Sequence, residues 1–294
     1  MFRVPSAMTI KLGLIGNSIS ESRAPFLHRM LGDIYGFDVS YDLHDPMSSQ
    51  YDALEATLKK LRQDGYTGCN ITFPFKTLAL NLVDEPDHAV RQVGATNTLV
   101  FAEGRVRATN TDYTGFIRGY RSRRGDMPAG DVLMLGAGGV GRAVAFGLFE
   151  CGANRLRIYD PNRSNAQALV TAVNAKGYQA ELVDLDELSR VAREVNGLVN
   201  CSPIGHYATP GIPLDPSLFG GQEWAFDAVY VPLDTEFLKA AGTAGLQLVS
   251  GFDLFFYQGI DAFQSFTKTE ADAQRALGRF IKEFSLESQL LSLD

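Results

Sequence analysis

The stretch VLMLGAGGVGRAVAFGLFECG, residues 132–152, decides the fold, because an apolar strand, a glycine-rich turn and an apolar helix follow one another in it. Its glycines match GxGxxG in the strand–turn–helix setting that a dinucleotide-binding turn requires. The first glycine permits the tight turn, the second lets the backbone approach a pyrophosphate, and the third lets the helix pack on the strand. We predict a dinucleotide site here; a turn without a ligand is the alternative. The residues predicted to contact the cofactor are Gly136, Ala137, Gly138, Gly139, Val140 and Gly141.

The end of the next predicted strand, RLRIYD at residues 155–160, bears on which cofactor binds. Asp160 stands where a carboxylate can accept hydrogen bonds from ribose hydroxyls and repel the 2′-phosphate of NADP. Arg163 follows three residues later and can instead bind that phosphate. NAD is therefore the favoured cofactor and NADP the alternative. A plain turn-forming role for Asp160 before Pro161 is also open.

Strand and helix patterns alternate on both sides of a polar connector, GDMPAGD at residues 125–131. After it, a second run of strand–helix units continues to residue 250, and residues 252–294 read as helices that pack back onto the first domain. The alternation predicts an α/β fold with mostly parallel sheets, in two domains. The elements predicted before the connector are strands at 12–15, 39–45 and 68–73, helices near Pro25, at 48–64 and at 75–84, and two strands around Glu103-Gly104.

Composition narrows the possible partners. The formal net charge is −7, which disfavours nucleic acid, and the densest basic run, residues 118–124, reads as the exposed end of a helix.

The three cysteines form no CxxC pair and no histidines have metal-ligand spacing, so we expect no disulfide framework and no metal. No apolar run is long enough for a membrane helix, and MFRVPSAMTI, residues 1–10, lacks the apolar core of a signal peptide. We expect a cytoplasmic protein.

Two polar side chains follow strand-like runs in the first half of the chain. Lys76 ends NITFPFK, residues 70–76, and Asp112 ends ATNTD, residues 108–112. In α/β folds, ligands bind where the strands present their carboxyl ends. Hydride transfer to or from a bound dinucleotide would also need a group that moves a proton, and these two residues are the candidates. A strand end with a solvated lysine is the alternative, and the four histidines read as structural or surface residues.

The chain resembles the shikimate/quinate dehydrogenase family along nearly its whole length, and the YDP after the glycine turn is similar to the NAD-using branch. The resemblance implies that Lys76 is the catalytic acid/base, paired with Asp112. It implies substrate binding at Ser22, Thr72, Asn97, Tyr230 and Gln258, and further cofactor contacts at Asn200, Ser202, Val229 and Gly251. The stretches that carry it are GLIGNSISESRAPFLH, GCNITFPFK, VGATNTL, NTDYTGF, GAGGVGRA, NCSPIGH, DAVYVPLDTEFLKAA and FYQGIDAF.

The implied architecture is a substrate domain of residues 1–115 and 252–294, to which the C-terminal helices return, and a Rossmann-type domain of residues 116–251. The implied reaction is hydride transfer between NAD(P) and shikimate/3-dehydroshikimate or quinate/3-dehydroquinate, by a monomer or homodimer. A reductase of an amino-substituted shikimate and a catalytically silent dinucleotide sensor are the rival functions. Two positions depart from the family pattern: Ala24 replaces a usual serine or threonine, and His206 a common methionine.

Overall fold

The computed structural model describes residues 8–284 and 286–292, and these divide into two compact units. The first unit runs to Thr111 and resumes at Gln258, whereas the second runs from Asp112 to Tyr257 and resumes at Leu286. The domain boundaries expected at 115/116 and 251/252 stay a prediction. Residues 1–7, which form most of the N-terminal segment considered as a signal peptide, lie outside the described residues. Residues 285, 293 and 294 of the C-terminal stretch also lie outside them.

The first unit is built on a six-stranded sheet. In chain order its elements are β1 (Met8–Ile15), α1 (Ala24–Tyr35), β2 (Phe37–His44), α2 (Tyr51–Gln63), β3 (Gly68–Ile71), β4 (Glu85–Pro86), α3 (His88–Val93), β5 (Thr98–Ala102) and β6 (Arg105–Thr109). The strand order is β2-β1-β3-β5-β6-β4. Strands β2 and β3 flank β1 in parallel, but β5 runs antiparallel to both β3 and β6. The sheet is therefore mixed, and its hairpin turns at Glu103-Gly104 as predicted.

The second unit is built on a doubly wound α/β sheet. The elements from residue 111 onward are α4 (Thr111–Arg124), β7 (Gly130–Leu135), α5 (Gly139–Glu150), β8 (Ala153–Tyr159), α6 (Arg163–Asn174), β9 (Ala180–Leu182), α7 (Leu188–Glu194), β10 (Gly197–Asn200), β11 (Trp224–Asp227), α8 (Glu236–Thr243), β12 (Gln247–Ser250), α9 (Gly251–Thr267) and α10 (Ala273–Phe284). The last part of α9 and all of α10 belong to the first unit. The strand order β12-β11-β10-β7-β8-β9 is parallel throughout. The order reverses between β7 and β10, which is the switch point where such sheets bind dinucleotides. The two-domain α/β prediction is confirmed.

The C-terminal helices return to the first unit, as expected. Ala262 and Phe266 of α9 are buried in one apolar cluster with Ile10 and Leu12 of β1. Gly68 of β3 lies close under the Phe266 ring: a Cβ built there would lie 2.7 Å from its Cε1. The end of α9 therefore covers one face of the first sheet and completes its core.

The prediction of an α-helix at residues 75–84 is wrong. The structure has only a short 3₁₀ helix, Leu78–Leu82, held by hydrogen bonds such as Leu80 N to Thr77 O and Val83 N to Leu80 O. Its leucines alternate along the chain at positions 78, 80 and 82, and all three pack on the core. Such spacing does not form one helical stripe, so the tighter turn replaces the α-helix.

The basic run at 118–124 is not an exposed helix end throughout. Arg124 is 3% exposed, and its guanidinium donates to the Tyr120 hydroxyl at 2.9 Å and to Gln247 Oε1 at 2.7 Å. It also pairs with Glu223 Oε2 at 3.3 Å. A buried arginine needs such partners, and two of these three come from residues about a hundred positions away in sequence.

Candidate active site

The glycine turn follows β7, a central strand of the second sheet. Gly136 has a φ of 96°, a left-handed conformation that favours glycine, and its N–H donates to Tyr159 O at 2.8 Å. A Cβ on Gly136 would lie 2.6 Å from Ser202 N, and one on Gly141 would lie 2.6 Å from Gly136 O. The fold itself therefore requires glycine at both positions.

Gly138 differs from these two glycines. It is the N-cap residue of α5, and a Cβ built on it meets no atom of the described chain within 4 Å. No side chain of the described residues caps this helix start, so its first N–H groups and positive dipole end remain available to an anion. A pyrophosphate held close to the backbone explains a glycine where the fold alone would admit a side chain. The turn therefore fits a dinucleotide.

Asp160 ties this turn to the end of β8. Its Oδ2 accepts from Ala137 N at 2.8 Å and its Oδ1 accepts from Asn162 N at 2.8 Å. Each carboxylate oxygen has a further lone pair, so both can also accept from ribose hydroxyls. Arg163, the first residue of α6, forms an ion pair with Asp184.

Asn200 and Asp227 hold the loops on the other side of the switch point. Asn200 Oδ1 accepts from Ser202 N at 3.0 Å and from Ser202 Oγ at 2.6 Å, and its Nδ2 donates to Asp227 Oδ1 at 2.9 Å. Asp227 also accepts from Val229 N at 3.0 Å and from Thr235 Oγ1 at 2.6 Å. Burial raises the pKa of Asp227 to about 7, against the lowering effect of these donors. Three expected cofactor residues, Asn200, Ser202 and Val229, thus share one network.

Gly251 and Tyr230 lie beside this network. A Cβ on Gly251 would lie 2.2 Å from Ala228 O, so glycine lets α9 start against the loop that follows β11. The Tyr230 ring stacks on Phe255, with 4.9 Å between centroids. His206 lies in the loop after β10, where its Nδ1 accepts from Ala208 N at 3.1 Å. His206, which stands where the family commonly has methionine, therefore follows a strand at the same carboxyl edge of the sheet as the expected nicotinamide contacts.

The first unit brings its candidates to the edge of the sheet where β1 and β3 end. Thr72 N donates to Ile15 O at 2.9 Å, and a Cβ on Gly16 would lie 2.2 Å from Thr72 Cγ2. Ser22 Oγ accepts from Ala24 N at 3.3 Å, which places this hydroxyl at the start of α1. The positive end of a helix dipole at this edge favours a carboxylate.

A buried polar network continues along the same edge. Asn97 is 3% exposed; its Oδ1 accepts from Thr111 N at 2.7 Å and its Nδ2 donates to Thr111 Oγ1 at 2.9 Å. Thr111 Oγ1 in turn lies 3.5 Å from Gln258 Oε1. Asn70 donates to Thr98 Oγ1 at 2.9 Å, next to Asn97. Two expected substrate residues, Asn97 and Gln258, therefore share Thr111 as a partner.

The two acid–base candidates flank this network in sequence. Lys76 is partly buried in the segment after β3, and its backbone oxygen accepts from Thr96 N at 2.8 Å, one residue before Asn97. Asp112 is 7% exposed in the first turn of α4, directly after Thr111. The expected substrate and acid–base residues are divided between the two units. The first unit contains Ser22, Thr72, Lys76, Asn97 and Gln258, and the second unit contains Asp112 and Tyr230.

Among the described residues, no group of three or more His, Cys, Asp or Glu side chains is placed to hold a metal ion. His28 is buried against the Tyr41 ring, and burial lowers its pKa to about 3.

Among the helices described, none is long and apolar enough to cross a membrane.

Comparisons with known proteins cover both units. A model described as "shikimate dehydrogenase substrate binding domain" matches residues 14–99, and one described as "saccharopine dehydrogenase NADP binding domain" matches residues 132–208. A quinate/shikimate dehydrogenase (NAD(+)) of Corynebacterium efficiens is 37% identical over 278 residues, which span 93% of this chain and 98% of that protein. The chain belongs to the shikimate/quinate dehydrogenase family.

Solved structures of this family include both cofactor types. Quinate dehydrogenase from Corynebacterium glutamicum in complex with NAD has a TM-score of 0.87 and 36% identity, covering 93% of this chain and 99% of that one. Shikimate 5-dehydrogenase from Thermus thermophilus, in complex with NADP(H) and shikimate, has a TM-score of 0.77 and 33% identity, covering 91% and 100%. The expected dehydrogenase class and nicotinamide cofactor are confirmed.

Sequence reasoning missed two residues of this dehydrogenase that organise its site. Thr111 links Asn97 to Gln258, and Asp227 links the loops after β10 and β11. Asp227 ends β11, so a carboxylate that closes the apolar run WAF was the available signal. Thr111 had no comparable signal, because its role depends on partners 14 and 147 residues away.

Proposed function

We propose that this dehydrogenase transfers a hydride between NAD and a cyclic polyhydroxy acid, quinate or shikimate, and their 3-dehydro forms, with NADP as the less favoured cofactor. The observation that carries the proposal is that relatives using these substrates match over both units, at 37% identity across 93% of the chain. The glycine turn, with room at Gly138 and a carboxylate at Asp160, supports NAD as the cofactor.

The cofactor would be held by the glycine turn, Asp160 and the loops after β10 and β11. The N–H groups at the start of α5 would bind the pyrophosphate, and Asp160 would accept from the ribose hydroxyls. Asn200, Ser202, Val229 and Gly251 would shape the nicotinamide side. When bound, the nicotinamide supplies or accepts the hydride.

Lys76 would move the proton of the reacting oxygen. In reduction its ammonium donates a proton to the developing alkoxide, and in oxidation the neutral amine accepts that proton from the ring hydroxyl. Asp112 would accept a hydrogen bond from a substrate hydroxyl. Its place in the first turn of α4 supports this role, since that helix start stabilises a negative carboxylate.

The ring acid would be held by polar groups whose orientations are already set. Ser22 accepts from Ala24 N, which leaves its own O–H to donate to the substrate carboxylate at the start of α1. Asn97 uses one amide hydrogen on Thr111, so its second amide hydrogen can reach a ring hydroxyl. Thr72, Gln258 and Tyr230 would complete the pocket.

A substrate panel tests the function. Purified protein is assayed for reduced-nicotinamide absorbance with shikimate, quinate and an amino-substituted shikimate, each with NAD and with NADP. Turnover of shikimate or quinate with NAD supports the proposal. Turnover of the amino-substituted ring alone establishes the rival reductase. Binding of NAD with no turnover of any ring acid establishes the sensor.

We also propose a cytoplasmic location and a monomer or homodimer. The three cysteines, Cys69, Cys151 and Cys201, are free and buried, and burial raises the pKa of each thiol. Free thiols suit a reducing compartment. Fractionation of cells of the source and sedimentation of the purified protein test the two statements.

A further inference from the structure

Three loops lie side by side at one edge of the second sheet. Strands β7, β8 and β9 are parallel neighbours, with Leu135 opposite Tyr159 and Ile158 opposite Leu182. Their carboxyl ends lead into the glycine turn, into Asp160 with Arg163, and into Asp184 respectively. Because Val183 N donates to Ile158 O at 2.9 Å, the chain is still held to β8 one residue before Asp184.

The charged groups in these loops are already paired in a definite way. Asp160 uses its two oxygens on the backbone N–H groups of Ala137 and Asn162. The guanidinium of Arg163 instead pairs with Asp184 Oδ1, on the side of β8 away from the glycine turn. Arg163 follows Asp160 by three residues and is thus a candidate cation for a 2′-phosphate on a ribose bound at Asp160, but Asp184 already pairs with it.

We propose that Asp184 is a specificity-determining residue that makes the site favour NAD over NADP. The proposal rests on the proposed function only in assuming that a dinucleotide binds at the glycine turn. Asp184 acts twice: it engages the guanidinium that would otherwise bind the 2′-phosphate, and it adds a second carboxylate beside Asp160 that repels a phosphate dianion.

The exposure of the Arg163 and Asp184 side chains limits how strongly Asp184 can affect 2′-phosphate binding. The side chains of Arg163 and Asp184 are 63% and 52% exposed, and an ion pair between exposed groups is weak and screened by salt. Arginine nevertheless matches phosphate geometry with two parallel N–H donors once it is released. We therefore expect removal of the Asp184 charge to strengthen 2′-phosphate binding by about twofold to fivefold at low salt, and by less at high salt.

Calorimetric titration with two probes tests the proposal without requiring turnover. Adenosine 2′,5′-bisphosphate reports the 2′-phosphate, and ADP-ribose reports the rest of the dinucleotide site. In Asp184→Asn the Kd for the bisphosphate should fall by about twofold to fivefold, with the Kd for ADP-ribose unchanged. In the double variant Arg163→Ala/Asp184→Asn the gain should shrink to the part that comes from lost repulsion. Asp186→Asn removes the same charge from an exposed position of the same loop and should change neither Kd.

Each contrary result has a distinct meaning. An unchanged bisphosphate Kd in Asp184→Asn overturns the proposal, as does an equal gain from Asp186→Asn, which would make the effect one of general charge. A gain that survives undiminished in the double variant overturns the part assigned to Arg163. A wild-type protein that binds neither probe contradicts the dinucleotide site itself, and so overturns the proposed function together with this inference.

Discussion

Asp160 Oδ2 accepts a hydrogen bond of 2.8 Å from the backbone N–H of Ala137, the second residue of the glycine turn. The carboxylate expected to bind the ribose therefore also fixes the turn expected to bind the pyrophosphate. Ribose recognition and pyrophosphate recognition are consequently coupled through one side chain. A change at Asp160 should act on both.

Asp160→Ala should raise the KM for NAD by about tenfold or more, since hydrogen bonds to charged groups contribute about 1.5–3 kcal/mol. The KM for NADP should change less, because loss of repulsion toward the 2′-phosphate offsets the loosened turn. Steady-state kinetics with both cofactors measures the ratio. If the wild type already prefers NADP, Arg163 rather than Asp160 determines the choice.

The glycine turn offers a matched pair of substitutions. Gly138→Ala should leave the melting temperature unchanged, because its Cβ meets no described atom within 4 Å, yet it should weaken NAD binding at least tenfold by crowding the pyrophosphate. Gly136→Ala should destabilise the fold, since φ is 96° and the Cβ would lie 2.6 Å from Ser202 N. Thermal melts with NAD titrations separate the two. Unweakened NAD binding in a folded Gly138→Ala protein contradicts the assigned role of the turn.

Ala24→Ser should lower the KM for shikimate by up to about tenfold with little change in kcat. A hydroxyl at the first position of α1 would add a charge-assisted hydrogen bond to the substrate carboxylate, made equally in ground and transition states. Ala24→Val adds bulk at the same position without a hydrogen-bond donor and should not lower the KM. A shikimate KM that is unchanged or raised in Ala24→Ser shows that the missing hydroxyl does not set specificity.

These residues also show how far sequence reasoning reaches. The glycine turn after β7 and the hairpin at Glu103-Gly104 were predictable, because each depends on local spacing. The bridge from Asn97 through Thr111 to Gln258 was not, because its partners are distant in sequence and meet only in the folded chain. The α-helix predicted at 75–84 was wrong for a different reason: its leucines alternate along the chain and pack on the core without forming a helical stripe.

Asp227 should make stability depend on pH. Its pKa is about 7 in the folded state against an ordinary value of 3.8, so the folded state holds its proton more tightly. The protonated carboxyl therefore stabilises the folded state by a few kcal/mol. This stabilisation is fully present below about pH 4 and is lost as the pH rises to about 7. Asp227→Asn keeps the shape but cannot titrate. The unfolding free energy of the variant relative to wild type should therefore rise between about pH 4 and 7 and stay constant above; a difference independent of pH would show that the carboxylate ionises normally.

The central claim is that Lys76 carries the proton in nicotinamide-dependent oxidation of a cyclic hydroxy acid, and the kcat of Lys76→Ala with NAD and quinate or shikimate tests it most directly. The matched control is Lys59→Ala, which removes an exposed lysine from α2. We expect kcat to fall by about 10²–10⁴ in Lys76→Ala, with the Kd for NAD unchanged and the control at the wild-type rate. A kcat near the wild-type value in folded Lys76→Ala would contradict the account.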